Sequence, residues 1–284
     1  MARSEVTETL YDAYGQRFSV DEVYFEQGTG QQHLLIFHNA KFGRVMTLDG
    51  VVQTTERDEF FYHEMFAHVP LFAHGAARRV LIVGGGDGGL LREVLKHPGV
   101  EHVTQVEIDA GVVEMAKAHL PGHSAGAFDD ERFELVIDDG ARFVAACEDT
   151  YDVVLVDSTD PIGPGEVLFT NAFYRDCARL LGDGGVLVTQ NGVPFMQLDE
   201  VRRSASAFAE IFADWHFYGV AVPTYVGGIM TLGFASQDPS LRATPLADLA
   251  SRFEAAAIDT RYYTPAVHQA AFALPRYVEE AIGK

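Results

Sequence analysis

The strongest chemical signal in the chain is a glycine-rich run, GGGDGG at residues 84–89, between an apolar segment and a helical pattern. Gly84, Gly86 and Gly89 match G-x-G-x-x-G, which lets a backbone turn sharply from a strand into a helix and approach a bound nucleoside. Glu107 ends the next apolar run, where a carboxylate could accept hydrogen bonds from the hydroxyls of a ribose. The spacing predicts a nucleoside site in preference to a merely structural turn.

Asp87 lies inside this glycine-rich run and separates two classes of nucleoside. A carboxylate there would repel the pyrophosphate of a dinucleotide. It would attract an ammonium or sulfonium by several kcal/mol at a separation of about 4 Å and an effective dielectric constant of about 20. The run therefore favours a cationic nucleoside, such as an S-adenosylmethionine derivative, over NAD. The alternative is that Asp87 only caps a helix beginning at Gly88 or Gly89.

Two further acidic segments, DDG at 138–140 and DSTD at 157–160, directly follow the third and fourth apolar runs. Ligands of open α/β sheets bind outside the carboxyl ends of the strands, so these carboxylates should meet in one crevice. Like charges so close are costly unless a polycation or protons compensate them. Asp138 alone is better explained as a turn or helix-cap residue, whereas Asp157 and Asp160 favour a functional role.

Short apolar runs alternate with helical stretches after residue 79, which predicts an α/β fold with a doubly wound, mainly parallel sheet. The runs cover residues 80–83, 103–108, 133–137, 153–156 and 186–189. Two later runs, 215–222 and 229–235, predict an antiparallel pair that ends the sheet, as in the methyltransferase-like variation of the Rossmann fold. Beyond residue 241 the pattern is helical, and we expect this tail to pack on the sheet.

The first 57 residues have a different pattern of apolar residues. Strand-like runs between residues 18 and 55 are separated by glycines and predict a small antiparallel β unit. Apolar residues at helical spacing between Asp58 and His74 predict a helix that leads from this unit into the second. We therefore expect a small N-terminal β domain over 1–57 and a Rossmann-like nucleoside-binding domain over 58–284.

Charge and composition restrict the classes of partner. A formal net charge of −20 argues against nucleic acid and anionic membranes and suits a cationic ligand, although acidic surfaces also simply keep proteins soluble. No apolar run approaches the roughly 20 residues of a membrane span, and the first ten residues lack a secretory signal pattern. Cys147 and Cys177 fit reduced core thiols better than a disulfide, so we expect a cytoplasmic protein.

Metal and covalent chemistry are disfavoured. The spacing of His63, Glu64 and His68 is H-E-x-x-x-x-H, whereas a zincin requires H-E-x-x-H, and no metal site is expected. Ser158 lacks the glycine frame of a nucleophile elbow, and neither cysteine has a placed histidine. Tyr62 and His63 lie on the linking helix and could face the crevice.

At these residues the sequence resembles the spermidine synthases, and the likeness covers nearly the whole chain. The shared motifs are LDGVVQTTERDEF at 48–60, GGGDGG at 84–89, VEID at 106–109, DSTDPIGP at 157–164, PTY at 223–225 with GG at 227–228, and AAFALP at 270–275. The resemblance implies that Asp157 is the general base, that Asp160 and Asp87 hold ammonium groups, and that Glu107 binds the ribose hydroxyls.

The resemblance also implies further contacts for both substrates. The donor nucleoside site would be completed by Gln32, Asp139, Gly140 and Pro164. The amine chain would be contacted, or the catalytic acid oriented, by Tyr62, His63, Ser158, Gln190 and Tyr225. An aromatic residue that lines the amine channel in the family could be Tyr11 or Tyr14 here.

The expected activity is transfer of the aminopropyl group of decarboxylated S-adenosylmethionine to putrescine, which gives spermidine and methylthioadenosine. The donor is a co-substrate, and no cofactor is expected. Three alternatives stay open: another acceptor such as cadaverine, agmatine or spermidine, a methyltransferase on the same fold, and a catalytically silent polyamine-binding protein. The family resemblance also implies a homodimer, joined partly through the N-terminal β unit.

Overall fold

The computed structural model describes residues 3–8, 10–11, 13–160 and 163–284, without the side chains of residues 163 and 164. Two small antiparallel sheets form the N-terminal part. One pairs β1 (Glu5–Thr7) with β2 (Arg17–Ser19), and the other contains β3 (Glu22–Gly28), β4 (His33–Asn39), β5 (Gly43–Leu48) and β6 (Val51–Thr55) in sequence order. The four-stranded sheet confirms the expected antiparallel unit, but the β1–β2 pair, with three residues in each strand, was not predicted.

A seven-stranded sheet forms the larger part. Its strands are β7 (Arg79–Gly84), β8 (His102–Glu107), β9 (Phe133–Ile137), β10 (Tyr151–Asp157), β11 (Leu181–Gln190), β12 (Asp214–Val220) and β13 (Met230–Ser236), in the order β12-β13-β11-β10-β7-β8-β9. The first five strands pair in parallel, and β13 pairs antiparallel with both β11 and β12. The predicted mainly parallel, methyltransferase-like Rossmann sheet is confirmed.

Helices cover both faces of this sheet. They are α1 (Glu59–His74), α2 (Gly89–Leu95), α3 (Ala110–His119), α4 (Pro121–Ser124), α5 (Gly140–Ala146), α6 (Asn171–Leu180), α7 (Pro194–Ile211), α8 (Leu246–Ala256), α9 (Pro265–Ala271) and α10 (Arg276–Ile282). Alternate residues of β7 enter opposite cores: Ile82 packs with residues of α1 and α2, and Leu81 packs with residues of α6 and α7. This two-sided burial explains why the parallel strands read as continuous apolar runs. The helical tail packs on the sheet as predicted, since Val278 of α10 joins the second core.

The chain reverses direction across the sheet between β7 and β10. From β7 it continues outward through β8 and β9, then returns to β10 on the other side of β7. A crevice opens at such a switch point outside the carboxyl ends of the strands. Gly84 and Asp157 end the two strands and lie opposite each other in the register.

The two cysteines lie in different environments. Cys177 is buried within α6, as predicted, whereas Cys147 follows the last residue of α5 and is only half-buried. Both thiols are free, as predicted, and Cys147 packs against the second core although α5 ends just before it. Within the described ranges, no helix is long and apolar enough to cross a membrane.

Candidate active site

A cavity of about 280 Å³ lies at the carboxyl ends of the parallel strands and reaches the four-stranded sheet. It brings together fourteen of the residues that the sequence singled out. They are Gln32, Tyr62, His63, Gly84, Gly86, Asp87, Glu107, Asp139, Gly140, Asp157, Ser158, Asp160, Gln190 and Tyr225. The prediction of a single crevice lined by acids from several strand ends is confirmed in geometry.

Of the remaining selected residues, some line the cavity and others do not. Gly89 does not line the cavity; a Cβ there would lie 2.2 Å from the ring of His63, so this glycine lets α2 pack against α1. Tyr11 lines the cavity, whereas Tyr14 is 53% exposed and is not among the lining residues. The predicted contact from Pro164 lies outside the described part of the chain, as its side chain is not described.

The glycine-rich run has no space for side chains where it meets β10. Gly84 has a φ of 87°, and a Cβ there would lie 2.1 Å from the carbonyl oxygen of Asp157. The next residue, Gly85, donates its N–H to that same oxygen at 3.2 Å. The amide of Gln105, on β8, donates to the carbonyl oxygens of Gly84 and Gly85 at 2.8 and 2.7 Å. These contacts fix the loop directly beside Asp157.

Glu107 ends β8 inside the cavity wall. Its Oε1 accepts a hydrogen bond from the backbone N–H of Asp109 at 2.9 Å. Burial raises the pKa of Glu107 to about 7, despite this hydrogen bond. Gln32 reaches the same strand end from the turn between β3 and β4 and donates a hydrogen bond from Nε2 to Asp109 Oδ2 at 3.1 Å. The two sheets therefore meet around the predicted ribose position.

Asp87 contacts the first turn of α2 and the ring of His63. Its Oδ1 accepts the backbone N–H of Gly89 at 2.8 Å, in the first turn of α2. Its Oδ2 lies 3.6 Å from His63 Nε2. The helix cap predicted as one alternative is confirmed, and the attraction of Asp87 for a cationic ligand stays a prediction. The carboxylate is 7% exposed, so its charge is little screened by water.

Asp157 is half-buried at the end of β10. Its Oδ1 accepts a hydrogen bond from the hydroxyl of Tyr62 at 2.7 Å. Burial raises the pKa of Asp157 to about 6, and nearby Asp87 adds to this effect, while the charge of His63 and the Tyr62 hydrogen bond oppose it. Tyr62 packs edge-on against Tyr225, with ring centroids 5.8 Å apart. The carboxylate therefore has a fixed orientation within an aromatic wall.

Asp160 is held by a residue that the sequence did not single out. Its Oδ1 accepts a hydrogen bond from Gln197 Nε2. Gln197 also accepts the backbone N–H of Val193 at 2.9 Å, and its own backbone departs from helical angles within α7 (φ −125°, ψ 36°). A Cβ on Gly192 would lie 2.2 Å from Gln197 Oε1, so Gln197 can take this position only beside a glycine. The Asn191-Gly192 turn was therefore the signal in the sequence that could have indicated Gln197.

Glu8 is a second lining residue that sequence reasoning missed. Its Oε1 accepts the backbone N–H of Val52 at 2.8 Å, and its Oε2 accepts Gln16 Nε2 at 2.6 Å. Burial raises the pKa of Glu8. Burial also raises the pKa of Tyr11, and the charges of Asp160 and Glu8 raise it further. The N-terminal segment thus adds an acid and an aromatic residue to the cavity.

The acidic pair after β9 divides as expected. Asp139 lines the cavity and caps α5 by accepting the backbone N–H of Arg142 at 3.0 Å. Asp138 is not among the lining residues; it pairs with the Arg142 side chain and accepts the N–H of Asp139 at 2.6 Å. Asp138 therefore has the predicted structural role in the turn before α5, but the residue that caps this helix is Asp139.

Two buried polar atoms at the cavity lack partners among the described residues. They are the hydroxyl of Ser158 and Oε1 of Gln190. A buried polar atom without a hydrogen bond is costly, so both are available for a bound polar group. Both residues were selected from the sequence for the amine site.

A family model described as the spermine/spermidine synthase domain matches residues 59–245, about two thirds of the chain. The chain belongs to the spermine/spermidine synthase family. A second model, described as the spermidine synthase tetramerisation domain, matches residues 5–56. The two matches meet near the first residue of α1, which connects the N-terminal antiparallel sheets to the part that contains the seven-stranded sheet.

Curated relatives in this family match almost end to end. The chain is 62% identical over 281 residues to polyamine aminopropyltransferase 1 of Pseudomonas aeruginosa, with 99% of this chain and 98% of that protein covered. It is 61% identical, with the same coverage, to the polyamine aminopropyltransferase of Pseudomonas syringae pv. tomato. Likeness at this level extends over both parts of the spermine/spermidine synthase fold.

Two crystal structures of spermidine synthases have the same fold. One, in complex with the transition-state analogue AdoDATO, superposes with a TM-score of 0.93 at 37% identity, covering 100% of this chain and 96% of the other. The second, from Thermotoga maritima, gives a TM-score of 0.90 at 35% identity, covering 100% and 95%. The spermidine synthase arrangement of sheets therefore extends over the whole chain.

Proposed function

We propose that the protein transfers the aminopropyl group of decarboxylated S-adenosylmethionine to putrescine, giving spermidine and methylthioadenosine. One observation carries the proposal: Asp87, Glu107, Asp157 and Asp160 line a single cavity. A concentration of carboxylates is favourable when cationic ligands occupy it. A donor with a sulfonium and an ammonium, together with a diammonium acceptor, would provide that positive charge. The names of the curated relatives support the same reaction class.

The donor would occupy the glycine-rich side of the cavity. Glu107 would accept hydrogen bonds from the ribose hydroxyls, and the Gln32 and Asp139 side chains would lie near the nucleoside. Asp87 would face the aminopropyl ammonium. An intact S-adenosylmethionine would instead bring a carboxylate toward Asp87 without a compensating cation, which is unfavourable in a buried site.

The acceptor would lie between Asp157 and the N-terminal segment. One ammonium would face Asp157, and the carboxylates of Asp160 and Glu8 would attract the rest of the diamine. The unpartnered oxygen of Gln190 could accept a hydrogen bond from an ammonium. Two charged ends on a short chain suit putrescine, which is also the acceptor that a spermidine synthase requires.

The reaction balances with the residues present. Asp157 takes a proton from the ammonium nearest the donor, leaving a lone pair on nitrogen. That nitrogen attacks the carbon bound to sulfur, a C–N bond forms, and the C–S bond breaks with its electrons remaining on sulfur. The products are protonated spermidine and neutral methylthioadenosine. No step requires a metal or redox cofactor, so we propose that none is used.

Product analysis tests this proposal directly. The protein is incubated with decarboxylated or intact S-adenosylmethionine and with putrescine, cadaverine, agmatine or spermidine, and the products are identified by mass spectrometry. We expect spermidine and methylthioadenosine from the decarboxylated donor with putrescine, at the highest kcat/KM of the panel. A methylated amine and S-adenosylhomocysteine would identify a methyltransferase instead, and binding without any product would identify a silent polyamine-binding protein.

A pH profile provides a second prediction. Burial raises the pKa of Asp157 to about 6, so this carboxylate is ionised above that pH and protonated below it. The base is therefore lost as pH falls, and kcat/KM should decline through pH 6 and approach about a tenfold loss per pH unit. Putrescine stays fully protonated over this range, so the decline belongs to the enzyme. A profile flat between pH 5 and pH 8 would contradict the assignment.

We also propose that the protein forms a homodimer through its N-terminal sheets. The match of residues 5–56 to a tetramerisation domain supports assembly through this part, and higher oligomers built from such dimers are compatible with it. Sedimentation of the whole protein distinguishes these species from a 31.1 kDa monomer.

A further inference from the structure

A chain of alternating charges extends behind the cavity, from Arg92 on α2 toward Asp157. The carboxylate of Glu59, in the first turn of α1, lies at its centre. Glu59 Oε2 is 2.7 Å from His63 Nδ1 and accepts a hydrogen bond from Arg92 Nη2 at 2.8 Å. The other ring nitrogen of His63 lies 3.6 Å from Asp87 Oδ2. The imidazole is thus placed between two carboxylates.

Glu59 and His63 are both buried, with 9% and 3% of their surface exposed. Glu59 and His63 are four residues apart on α1, which places them one turn apart on the same face of the helix. The helix itself therefore sets the contact between them. The ring also cannot shift toward α2, because it lies against Gly89, where a Cβ would come within 2.2 Å. The imidazole is therefore fixed in both position and orientation.

We propose that Glu59 is a positioning residue that keeps the imidazole of His63 protonated, so that its positive charge holds Asp157 ionised as the base. The inference rests on the function proposed above. An imidazolium donates hydrogen atoms from both ring nitrogens, which suits a ring with a carboxylate on each side. A neutral ring would present an unprotonated nitrogen to one of the two carboxylates.

The other groups around the ring are consistent with a cation there. Asp87 approaches from the glycine-rich run and Asp157 from β10, and both are acidic. The ring of His123, from α4, lies 6.4 Å away, and burial lowers its pKa so that it adds no competing charge. Arg92 approaches only through Glu59. Burial lowers the pKa of His63, but the surrounding carboxylates outweigh it and raise the pKa to about 9.

Glu59 in turn keeps its negative charge because its neighbours are cationic. Burial alone would raise its pKa, but the hydrogen bond and charge of His63, together with Arg92, bring the pKa to about 2. Arg92 also contacts Glu93, with Nε 2.7 Å from Glu93 Oε1. Glu93 is also buried but contacts His68 and Lys96 instead of His63. The two carboxylates share Arg92, and only one of them contacts the imidazole that faces the cavity.

This difference supplies a matched pair of variants. Glu59→Gln keeps an oxygen that can accept from His63 but removes the negative charge. The imidazole should then lose its proton more easily, the attraction on Asp157 should weaken, and the acidic limb of kcat/KM should move up by about one pH unit. Glu93→Gln makes the same change on the other side of Arg92, and its acidic limb should stay at the wild-type pH. Thermal unfolding of both variants reports any loss of stability separately.

A purely structural role for Glu59 would lower activity or stability without moving the limb, and that result would overturn the proposal. Should Glu59→Gln fail to fold, NMR of the wild-type protein with ¹⁵N-labelled histidine decides the matter. We expect both His63 nitrogens to be protonated at pH 7.5, with the signal assigned by its loss in His63→Gln. A neutral ring at that pH also overturns the proposal. The NMR result does not depend on the reaction, so absence of aminopropyl transfer would refute the proposed function alone.

Discussion

Replacement of Asp157 with asparagine should lower kcat by about a thousandfold, a typical loss when a general base is removed. Asparagine keeps the oxygen that accepts the Tyr62 hydroxyl, so the aromatic wall around the side chain is retained. What is lost is the ability to take a proton from the acceptor ammonium. The donor should still bind, because Asp87 and Glu107 are unchanged. Methylthioadenosine release, followed at saturating concentrations of both substrates, measures the effect.

Asp138→Asn is the matched control for this experiment. It also removes a carboxylate that follows a parallel strand, but Asp138 pairs with Arg142 and is not a lining residue. We expect its kcat to stay within about twofold of wild type, as for most surface substitutions. If Asp157→Asn retained more than a tenth of wild-type turnover, or if the two variants lost activity equally, Asp157 would not be the base.

Residues at the carboxyl ends of strands could be predicted from the sequence alone. Glu107 and Asp157 each end an apolar run, and parallel strands bring such ends to one edge of the sheet whatever their separation in sequence. The pattern of short apolar runs therefore placed both acids in one crevice. The glycine-rich run added Asp87, because a strand that turns directly into a helix leaves little freedom for the loop.

Residues that reach the cavity from outside this pattern could not be found in the same way. Glu8 lies in a polar N-terminal segment, and its place depends on a hydrogen bond to Val52 in another sheet. Gln197 faces Asp160 only because α7 departs from helical geometry there. The roles of Gly89 and Glu59 depend on how closely α1 packs against α2. Such long-range packing has no periodic signature in sequence.

The charge of Asp87 separates the two possible donors, and its removal has the second large expected effect. Asp87→Asn keeps an oxygen that can accept the Gly89 N–H, so the start of α2 is retained while the negative charge is lost. The Kd of decarboxylated S-adenosylmethionine should then rise roughly a hundredfold, as when one partner of a buried charge pair is removed. Binding of intact S-adenosylmethionine should stay equal or improve, since its carboxylate no longer faces Asp87. Isothermal titration calorimetry of both donors gives the ratio of their Kd values in the wild type and in the variant.

Methylthioadenosine is the matched control for Asp87→Asn, because it presents the same nucleoside without a charged arm. Its Kd should change by less than about threefold, since only neutral contacts remain and most substitutions away from a contact have small effects. If the variant weakened methylthioadenosine as strongly as the decarboxylated donor, the loop geometry would account for the loss. Selection of the donor by charge requires the two ligands to respond differently, because the sulfonium and the ammonium are what Asp87 would attract across a site with little water to screen it.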